Sequence, residues 1–313
     1  MDSSSLNKAY KEIKKMPYIN SFLIVKNGFL VVEKYYNGRD SNTLDLTYSV
    51  TKSVTSALIG IAIRDGYVDS LDQKMLDFFP QYNRLFMDER KESITIRHIL
   101  SMQSGFDKEE NISKQVYFGQ NKVTSIISSK LAFSPQTNFL YSTHGSHLLS
   151  AIITKATGVG TLAFAQASLF SEIGVHSVAW AKDKNGINYG GAGIFLTPRD
   201  MARFGYLYLR KGFIDGKQIV PAHWVENSIQ NCRGYVTPWK EMDDVGYGYH
   251  WWTGRFNKYS VYFASGYGGQ WILNIPDLDM IIVTTMNADT EKDWNQMESL
   301  IPIISNFIIP SVK

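Results

Sequence analysis

The sequence predicts an α+β fold in which helices flank an antiparallel sheet built from both ends of the chain, with a mainly helical region inserted between its strands. Two observations carry this prediction: β-rich segments occur near the N-terminus and again in the last third of the chain, and helical periodicity fills the residues between them. We therefore expect a sheet domain over 1–47 and 191–313, a helical domain over 48–190, and a ligand site in the cleft between them.

The first strands are indicated by a hairpin signal. Two β-rich runs, FLIVK and FLVVEKYY, flank Asn27-Gly28 within residues 21–36. An Asn-Gly pair between such runs favours a two-residue turn. The chain therefore begins with sheet.

The helical region begins after Tyr48. Apolar residues recur at helical spacing from Val50 to Ile61, and Gly66 follows as a typical C-terminal stop. Ser49 then lies near the N-terminus of this helix. Further helices are predicted over 94–102, 123–130, 145–157 and 198–209.

The last third returns to strands, with turn signals between them. Alternating side chains predict a strand over 246–253, and three more are expected over 261–264, 270–275 and 280–286. A terminal helix is predicted over 294–307.

Composition and charge limit the classes of function that the chain can have. The 313-residue chain has 44% hydrophobic and 13% aromatic residues, enough to bury a large core. Its formal charge of +3 arises from 32 basic and 29 acidic residues spread along the chain. No charged stripe or tail predicts nucleic-acid binding, so a small neutral or mildly charged molecule is the expected partner. Composition leaves the oligomeric state open.

Compartment and cofactor use are constrained only weakly. Residues 1–10 lack the apolar core of a secretory signal, as in a cytoplasmic protein or an exported one whose signal has been removed. No window approaches the roughly 20 apolar residues of a membrane-spanning helix. Cys232, the single cysteine, is expected to be a bystander thiol. The six histidines form no metal-ligand pattern, and nucleotide-binding motifs are absent, so neither a metal nor a cofactor is expected.

The first candidate for chemistry is Ser49-Val50-Thr51-Lys52. One-turn spacing places the hydroxyl and the amine on one helix face, where the amine can take the hydroxyl proton. The same spacing recurs in the polar segment Ser5-Leu6-Asn7-Lys8, so spacing alone decides little. Ser49 differs because it follows sheet and opens a helix whose N-terminus favours a developing anion. The alternative is that Ser49 merely caps the helix and Lys52 is solvated.

Two later segments are candidates for the same site. Tyr141, in Phe139-Leu140-Tyr141-Ser142-Thr143, lies just ahead of a predicted helix. Ser265-Gly266-Tyr267-Gly268-Gly269-Gln270 lies between two predicted strands, where glycines let a substrate approach the backbone and the N–H of Gln270 can face a carbonyl oxygen. Taken singly, the first is typical of a half-buried core aromatic and the second of a tight hairpin turn.

Together, and in this order, the three motifs resemble those of the serine β-lactamases and penicillin-binding proteins. In those proteins Ser-x-x-Lys is followed by Tyr-x-Asn or Ser-Asp-Asn and then by Lys-Thr-Gly. The resemblance is closest to the class C β-lactamase-like superfamily. Segments 94–105 and 191–200 also look like that family, so the resemblance extends from about residue 21 to residue 286.

The resemblance implies a β-lactamase/transpeptidase-like fold and a serine hydrolase that forms an acyl-enzyme. It makes Ser49 the nucleophile, Lys52 its base, and Tyr141 the group that protonates the leaving group and helps to activate the deacylating water. It places the oxyanion hole at the backbone N–H groups of Ser49 and Gln270. The substrate-binding residues that it implies are Thr143, His144, Tyr267, Gly268 and Gly269.

Two positions depart from the antibiotic-hydrolysing members. Thr143 stands where Tyr-x-Asn has asparagine, and Tyr267-Gly268-Gly269 stands where Lys-Thr-Gly is expected. A tyrosine offers one neutral hydrogen bond in place of a charge-assisted contact about twice as strong. The sequence therefore looks most like the branches without that lysine, which are carboxylesterases, D-amino-acid-specific peptidases and amidases, and 6-aminohexanoate-dimer hydrolases.

The expected function is hydrolysis of a small ester or amide. Two alternatives stay open. One is a D-peptidase or weak β-lactamase acting on cell-wall-type substrates. The other is a catalytically silent binding module of the same fold.

Overall fold

The computed structural model describes residues 1–82, 88–107, 121–232, 242–288 and 295–312, and describes the backbone alone for 295–298. Its strands are β1 Ile19–Lys26, β2 Phe29–Tyr35, β3 Asp45–Leu46, β4 Ala179–Trp180, β5 Ile194–Leu196, β6 Phe213–Ile214, β7 Lys217–Gln218, β8 Asp243–Tyr247, β9 Trp252–Phe256, β10 Tyr259–Gly266, β11 Gln270–Ile275 and β12 Met280–Met286.

The α-helices are α1 Ser3–Lys14, α2 Val50–Arg64, α3 Ile96–Leu100, α4 Lys122–Ser128, α5 Thr143–Thr157, α6 Thr161–Ala165, α7 Pro198–Leu209, α8 Ala222–Ser228 and α9 Asn295–Ile303. Short 3-10 or π turns cover Met75–Phe78, Glu89–Ser93, Gln166–Phe170, Ser171–Ile173, Pro276–Leu278, Ile304–Ile308 and Ile309–Ser311.

The main sheet is antiparallel and draws strands from both ends of the chain. Its seven strands run in the order β2-β1-β12-β11-β10-β9-β8, and β1 pairs with β12 from Ile19 opposite Met286 to Lys26 opposite Met280. The predicted sheet from both termini is therefore confirmed. The division into domains at 47/48 and 190/191 stays a prediction.

Two apolar clusters pack on opposite faces of this sheet, because successive residues of a strand point to opposite sides. Leu23 and Val283 belong to the cluster that includes α2 and α7. Phe22 and Trp271 belong to the cluster that includes α1 and Ile304. The sheet is thus covered by helices on both faces, and α2 lies against it as a central helix.

The predicted hairpin is confirmed. Asn27 and Gly28 have φ angles of 53° and 79°, which is the left-handed pair that a two-residue turn between twisted strands requires. Most other predicted elements lie within two residues of the observed ones, but β1 begins three residues before the run FLIVK, and α9 ends four residues before 307. The terminal helix α9 continues into the turn Ile304–Ile308, and Trp294, where it was predicted to begin, lies outside the described residues.

The single strand predicted over 246–253 is wrong. Strand β8 ends at Tyr247 and β9 begins at Trp252, and the N–H of Gly248 donates to the carbonyl of Trp251 across the turn between them at 2.8 Å. The alternation of large and small residues continues through this turn because the turn itself is buried under α2 and α3. Its residue Trp251 is fully buried.

Helix α1 was not predicted. The Asp2 side chain accepts the N–H of Ser5 at its N-terminus, at 2.8 Å, and Ala9 and Ile13 are buried. A weak signal existed, since Leu6, Ala9, Tyr10 and Ile13 follow helical spacing.

Within the described residues, no single helix is long and apolar enough to cross a membrane. The bent pair Thr143–Thr157 and Thr161–Ile173 meets the length and composition criteria when the two are taken together.

Candidate active site

Ser49 immediately precedes α2, a helix in which every residue from Val50 to Ala62 is buried. The Ser49 hydroxyl makes no capping hydrogen bond to the helix backbone. Tyr48, just before it, has a φ of 47°, a conformation that is uncommon for a bulky residue and that clusters at functional sites. Ser49 thus occupies the N-cap position without capping the helix through its side chain, and its role as nucleophile stays a prediction.

Lys52 is buried beneath Ser49, with 1% of its surface exposed. Its Nζ lies 2.9 Å from Oγ of Ser49, 2.9 Å from Oγ1 of Thr143 and 2.8 Å from the carbonyl oxygen of Gly191. The alternative of a solvated lysine is wrong, because a buried amine must be satisfied by such partners. Lys8, in the segment with the same spacing, is exposed.

The three contacts suit both protonation states of Lys52. As an ammonium, Nζ has three N–H donors for three neutral oxygens. As an amine, it has two donors and one lone pair, and the carbonyl of Gly191 can only accept. The amine therefore donates to Gly191, and when its second hydrogen is donated to Thr143 its lone pair faces the Ser49 hydroxyl. A proton can move between Oγ and Nζ without rearrangement of the heavy atoms.

The loop before α5 brings Tyr141 to this pair. Ser142 caps the helix by accepting the N–H of Gly145 at 3.0 Å. The Tyr141 ring centroid lies 4.7 Å from Nζ of Lys52, in the range of a cation–π contact. The same ring stacks on Trp252, with centroids 6.0 Å apart and planes 20° apart.

Most aromatic residues of the last third of the chain belong to the core, and Trp252 belongs to the site. Tyr247 in β8 and Trp271 in β11 are buried, and so are Tyr249 and Trp251 in the turn between β8 and β9. Burial raises the pKa of Tyr247 well above its usual value. Trp252 is half-buried, so the ring stacked on Tyr141 is partly open to solvent.

The third motif lies beside the segment that leads into Ser49. A Cβ at Gly266 would lie 2.2 Å from the carbonyl oxygen of Thr47, so the two backbones touch. The Tyr267 ring packs edge-on against Tyr48, with centroids 5.5 Å apart, and 40% of Tyr267 is exposed. The side chain in the position of the expected lysine is thus uncharged and accessible.

Gly268 and Gly269 are required by the geometry of this turn. Their φ angles are 75° and 93°, and a Cβ would lie 2.5 Å from Ala288 at the first position and 2.4 Å from Sδ of Met286 at the second. Both positions favour glycine for conformation and for space. Their predicted contact with substrate stays a prediction.

Gln270 begins β11, and its side chain is occupied by the neighbouring strand. Its Nε2 donates to the Met286 carbonyl at 2.7 Å, and the Met286 N–H donates to its Oε1 at 3.2 Å. The amide therefore anchors the turn to β12. The predicted oxyanion hole concerns the backbone N–H groups of Gln270 and Ser49, and it stays a prediction.

Thr143 and His144 are the first residues of α5. The Thr143 hydroxyl contacts Lys52, so the residue predicted to bind substrate also holds the lysine. His144 is buried, with 7% of its surface exposed, and its role in substrate binding stays a prediction.

Two buried histidines that the sequence did not single out support the site. Nδ1 of His250 lies 3.0 Å from the carbonyl oxygen of Lys52, and its Nε2 lies 3.2 Å from Oγ of Ser146. Burial and the nearby charge of Lys52 lower the pKa of His250 to about 3. The ring is therefore neutral at pH 7.

His147 forms the second support. Its Nε2 lies 3.1 Å from Oδ2 of Asp183, and its Nδ1 accepts the N–H of Gly190 at 3.4 Å. Burial lowers the pKa of His147. Burial raises the pKa of Asp183 but the hydrogen bond from His147 lowers it, and the net shift is downward. A neutral imidazole and a carboxylate thus hold Gly190 beside Gly191, whose carbonyl contacts Lys52.

Within the described ranges, no group of three or more His, Cys, Asp or Glu side chains is placed to hold a metal ion.

A model of the Beta-lactamase family matches residues 20–303 of the chain. The chain belongs to the Beta-lactamase family. Members of this family are generally hydrolases of small amides and esters. The resemblance inferred from the three motifs is thereby confirmed.

Relatives of known name are distant in sequence. The chain is 22% identical over 308 residues to the 6-aminohexanoate-dimer hydrolase of Paenarthrobacter ureafaciens, covering 90% of this chain and 76% of that protein.

Two solved structures share the fold. An octameric penicillin-binding protein homologue from Pyrococcus abyssi has a TM-score of 0.77 at 20% identity, covering 99% of this chain and 78% of that one. A D-amino acid amidase from Ochrobactrum anthropi SV3 has a TM-score of 0.75 at 15% identity, covering 98% and 99%. The predicted β-lactamase/transpeptidase-like fold is confirmed.

Proposed function

We propose that this member of the Beta-lactamase family is a serine hydrolase that cleaves an ester or amide bond of a small molecule through an acyl-enzyme on Ser49. The observation that carries the proposal is the contact of 2.9 Å between Oγ of Ser49 and the buried Nζ of Lys52. Burial disfavours the charged form of an amine, which is a condition for its use as a base. A binding module would not require this pair.

Acylation begins with transfer of the Ser49 hydroxyl proton to Nζ of Lys52. Oγ then forms a bond to the substrate carbonyl carbon, and the carbonyl oxygen takes the negative charge of a tetrahedral intermediate. The N-terminus of α2 stabilises negative charge at this position. The backbone N–H groups of Ser49 and Gln270 are the proposed oxyanion donors.

Collapse of the intermediate breaks the bond to the alcohol or amine, which must receive a proton to leave. Tyr141 is the proposed donor, and Lys52 beneath its ring returns the proton to it. In the second half-reaction water loses a proton to the same pair, attacks the acyl carbon, and releases the acid and the Ser49 hydroxyl. Proton transfer of this kind contributes about 10²–10⁴-fold to a rate.

The uncharged side chain of Tyr267 favours substrates without a carboxylate at that position. A lysine there would make a charge-assisted contact with such a group. Tyrosine instead presents a ring and one hydroxyl, so esters and amides of uncharged acyl groups fit better than penicillins. The relative named for 6-aminohexanoate dimers supports amide cleavage as part of the range.

The experiment is intact-protein mass spectrometry after parallel exposure to p-nitrophenyl butyrate, a fluorophosphonate and a penicillin. We expect one covalent adduct with the fluorophosphonate, located on Ser49, and Ser49-dependent release of p-nitrophenol from the ester. Ser49→Ala abolishes both. Ser5→Ala is the matched control, because Ser5 has the same spacing to an exposed lysine and should react as the unaltered protein does.

Other outcomes decide between the alternatives. Rapid acylation by penicillin with slow ester turnover would favour a D-peptidase or weak β-lactamase. If a folded protein with intact Ser49 reacts with none of the three probes, the proposal is overturned and the fold serves as a binding module.

A further inference from the structure

We propose that His250 is a positioning residue that fixes Lys52 and the Tyr141–Thr143 segment relative to each other. This inference rests on the proposed function. His250 lies in the turn between β8 and β9, nearly 200 residues beyond Lys52 in sequence, with 2% of its surface exposed.

On one side, His250 holds the first turn of α2 through two bonds. Nδ1 of its ring lies 3.0 Å from the carbonyl oxygen of Lys52. The hydroxyl of Ser53, the next residue, donates to the His250 carbonyl at 2.6 Å. The side chain and the backbone of His250 therefore form hydrogen bonds with two consecutive residues of α2, Lys52 and Ser53.

On the other side, the ring reaches the start of α5. Nε2 of His250 lies 3.2 Å from Oγ of Ser146, and the same hydroxyl lies 3.0 Å from the carbonyl oxygen of Ser142. Ser142 caps α5 and separates Tyr141 from Thr143. The ring thus connects the two segments whose side chains meet at Nζ of Lys52.

The chemistry of these partners fixes the tautomer. A carbonyl oxygen can only accept, so in the neutral ring Nδ1 of His250 carries the hydrogen and Nε2 can only accept. The Ser146 hydroxyl has one hydrogen, which points either to Nε2 or to the carbonyl oxygen of Ser142. His147 shows the reverse arrangement, because its Nδ1 accepts a backbone N–H and its Nε2 donates to Asp183. The two rings therefore have opposite tautomers in one molecule.

The His250 backbone adopts a left-handed conformation, which is unfavourable for a non-glycine residue unless other contacts stabilise it. Its φ is 61°, and its N–H donates to the Leu100 carbonyl at the end of α3 at 3.2 Å. Left-handed residues persist where surrounding structure determines them and cluster at functional sites. The ring nitrogens of His250 face the carbonyl oxygen of Lys52 and the hydroxyl of Ser146, rather than Nζ of Lys52 or Oγ of Ser49, so the contacts of the ring suit a role in placement.

Placement matters for this reaction because proton transfer from Ser49 to Lys52 takes place over one short contact. A displacement of about 1 Å by a remote change can cost about 100-fold in rate. Losing the bond to the Lys52 carbonyl frees the first turn of α2 on the side facing α5. We expect the loss to affect the chemical step more than substrate binding.

The test compares His250→Gly with His250→Asn. Both residues tolerate a positive φ, but asparagine keeps a side-chain N–H where Nδ1–H lies. We expect His250→Gly to lower kcat and the rate of Ser49 phosphonylation in parallel, by about 10- to 100-fold, with KM changed much less. His250→Asn should recover most of both rates. All rates are measured well below the melting temperature of each variant.

A second measurement does not depend on activity. In ¹⁵N-detected NMR of the whole protein, His250 should be a neutral Nδ1–H tautomer and His147 a neutral Nε2–H tautomer, so each ring is the reference for the other. An Nε2–H tautomer for His250 would overturn the inference. So would a His250→Gly variant that melts lower but reacts as fast as the unaltered protein. An unaltered protein that does not react with the fluorophosphonate would overturn the proposed function itself, and the positioning role with it.

Discussion

Nζ of Lys52 lies 2.9 Å from Oγ1 of Thr143, although the two residues are 91 positions apart. In sequence, Thr143 stands where the Tyr-x-Asn motif has its asparagine. Thr143 has a shorter side chain than asparagine and supplies an acceptor for Lys52. Its methyl group packs against Gly191, where an added Cβ would lie 2.6 Å from the methyl carbon.

Replacing Thr143 by valine removes this acceptor while keeping the shape. One hydrogen on the buried Nζ of Lys52 then loses its partner, at a cost of about 1–3 kcal/mol. We expect Thr143→Val to lower kcat/KM for p-nitrophenyl butyrate by about 5- to 150-fold. Thr143→Ser, which keeps the hydroxyl, should remain close to the unaltered protein. Equal activity of the valine and serine variants would contradict this role.

Tyr141→Phe removes the hydroxyl and keeps the ring, so it distinguishes the contribution of each to the reaction. The variant keeps the contact with Nζ of Lys52 and the stack on Trp252, so we expect Ser49 to remain reactive. p-Nitrophenolate leaves without a proton, whereas an anilide nitrogen needs one. The burst of p-nitrophenol should change by only a few-fold, while release of p-nitroaniline should fall by about 10²-fold or more.

Stopped-flow measurement of both bursts checks the prediction for Tyr141, since deacylation does not enter the burst phase. A parallel loss for both leaving groups would mean that the hydroxyl acts before bond cleavage. The general-acid role would then be withdrawn.

The spacing of hydrophobic residues predicted most elements of this fold well, because helices and strands bury side chains at different, characteristic spacings. Asn27-Gly28 marked the first turn, and β11 and β12 were predicted at their observed bounds. The pattern failed over 246–253, since a buried turn shows the same alternation as a buried strand. A local window does not distinguish a turn buried by α2 and α3 from a continuing strand.

The site was only partly predictable for the same reason. Ser49, Lys52 and Tyr141 were found by motif spacing, but no motif marked the other polar residues of α2. In the structure the hydroxyl of Thr55 donates to the Gly190 carbonyl at 2.8 Å, and Ser53 donates to His250. These partners lie more than a hundred residues away, and no local signal marks them. His250 could be recognised only from its contacts and its backbone conformation.

The buried histidines predict a pH dependence of stability. The pKa of His250 falls from 6.5 in the unfolded chain to about 3 in the fold, so the unfolded state binds more protons between these values. Stability therefore decreases as pH falls below about 6.5 and stops decreasing near pH 3. The lowered pKa of Asp183 affects stability only below pH 3.8, because its stabilising contribution is present above that value and is lost as pH falls further.

His250→Asn removes one of the groups whose titration makes the free energy of unfolding depend on pH. Relative to the unaltered protein, the variant should gain about 2 kcal/mol in free energy of unfolding between pH 7.5 and pH 5. Urea unfolding at the two pH values measures the difference. His147 and His98, whose pKa values burial also lowers, are present in both proteins and cancel. A pH-independent difference would contradict a neutral buried His250.

Gly60 tests the packing of α2 at a distance from the chemistry. It lies in the helix interior, where alanine is favoured by about 1 kcal/mol. A Cβ at Gly60, however, would lie 2.5 Å from the ring of Trp224 in α8, and Trp224 is buried. Overpacking of this kind costs about 1–3 kcal/mol. Over most of that range, the cost of overpacking exceeds the gain in helix propensity. We therefore expect Gly60→Ala to destabilise the protein.

The matched variant is Gly60→Ala combined with Trp224→Phe, which makes room for the added methyl group. If the contact is the cause, the two changes should be less destabilising together than their sum, with a coupling of about 0.5–3 kcal/mol. Gly60 lies eight residues beyond Lys52, about 12 Å along the helix, so kcat at 25 °C should stay unchanged in every folded variant. A Gly60→Ala variant stabilised by about 1 kcal/mol would mean that propensity prevails and that α8 lies farther from α2 than the structure has it.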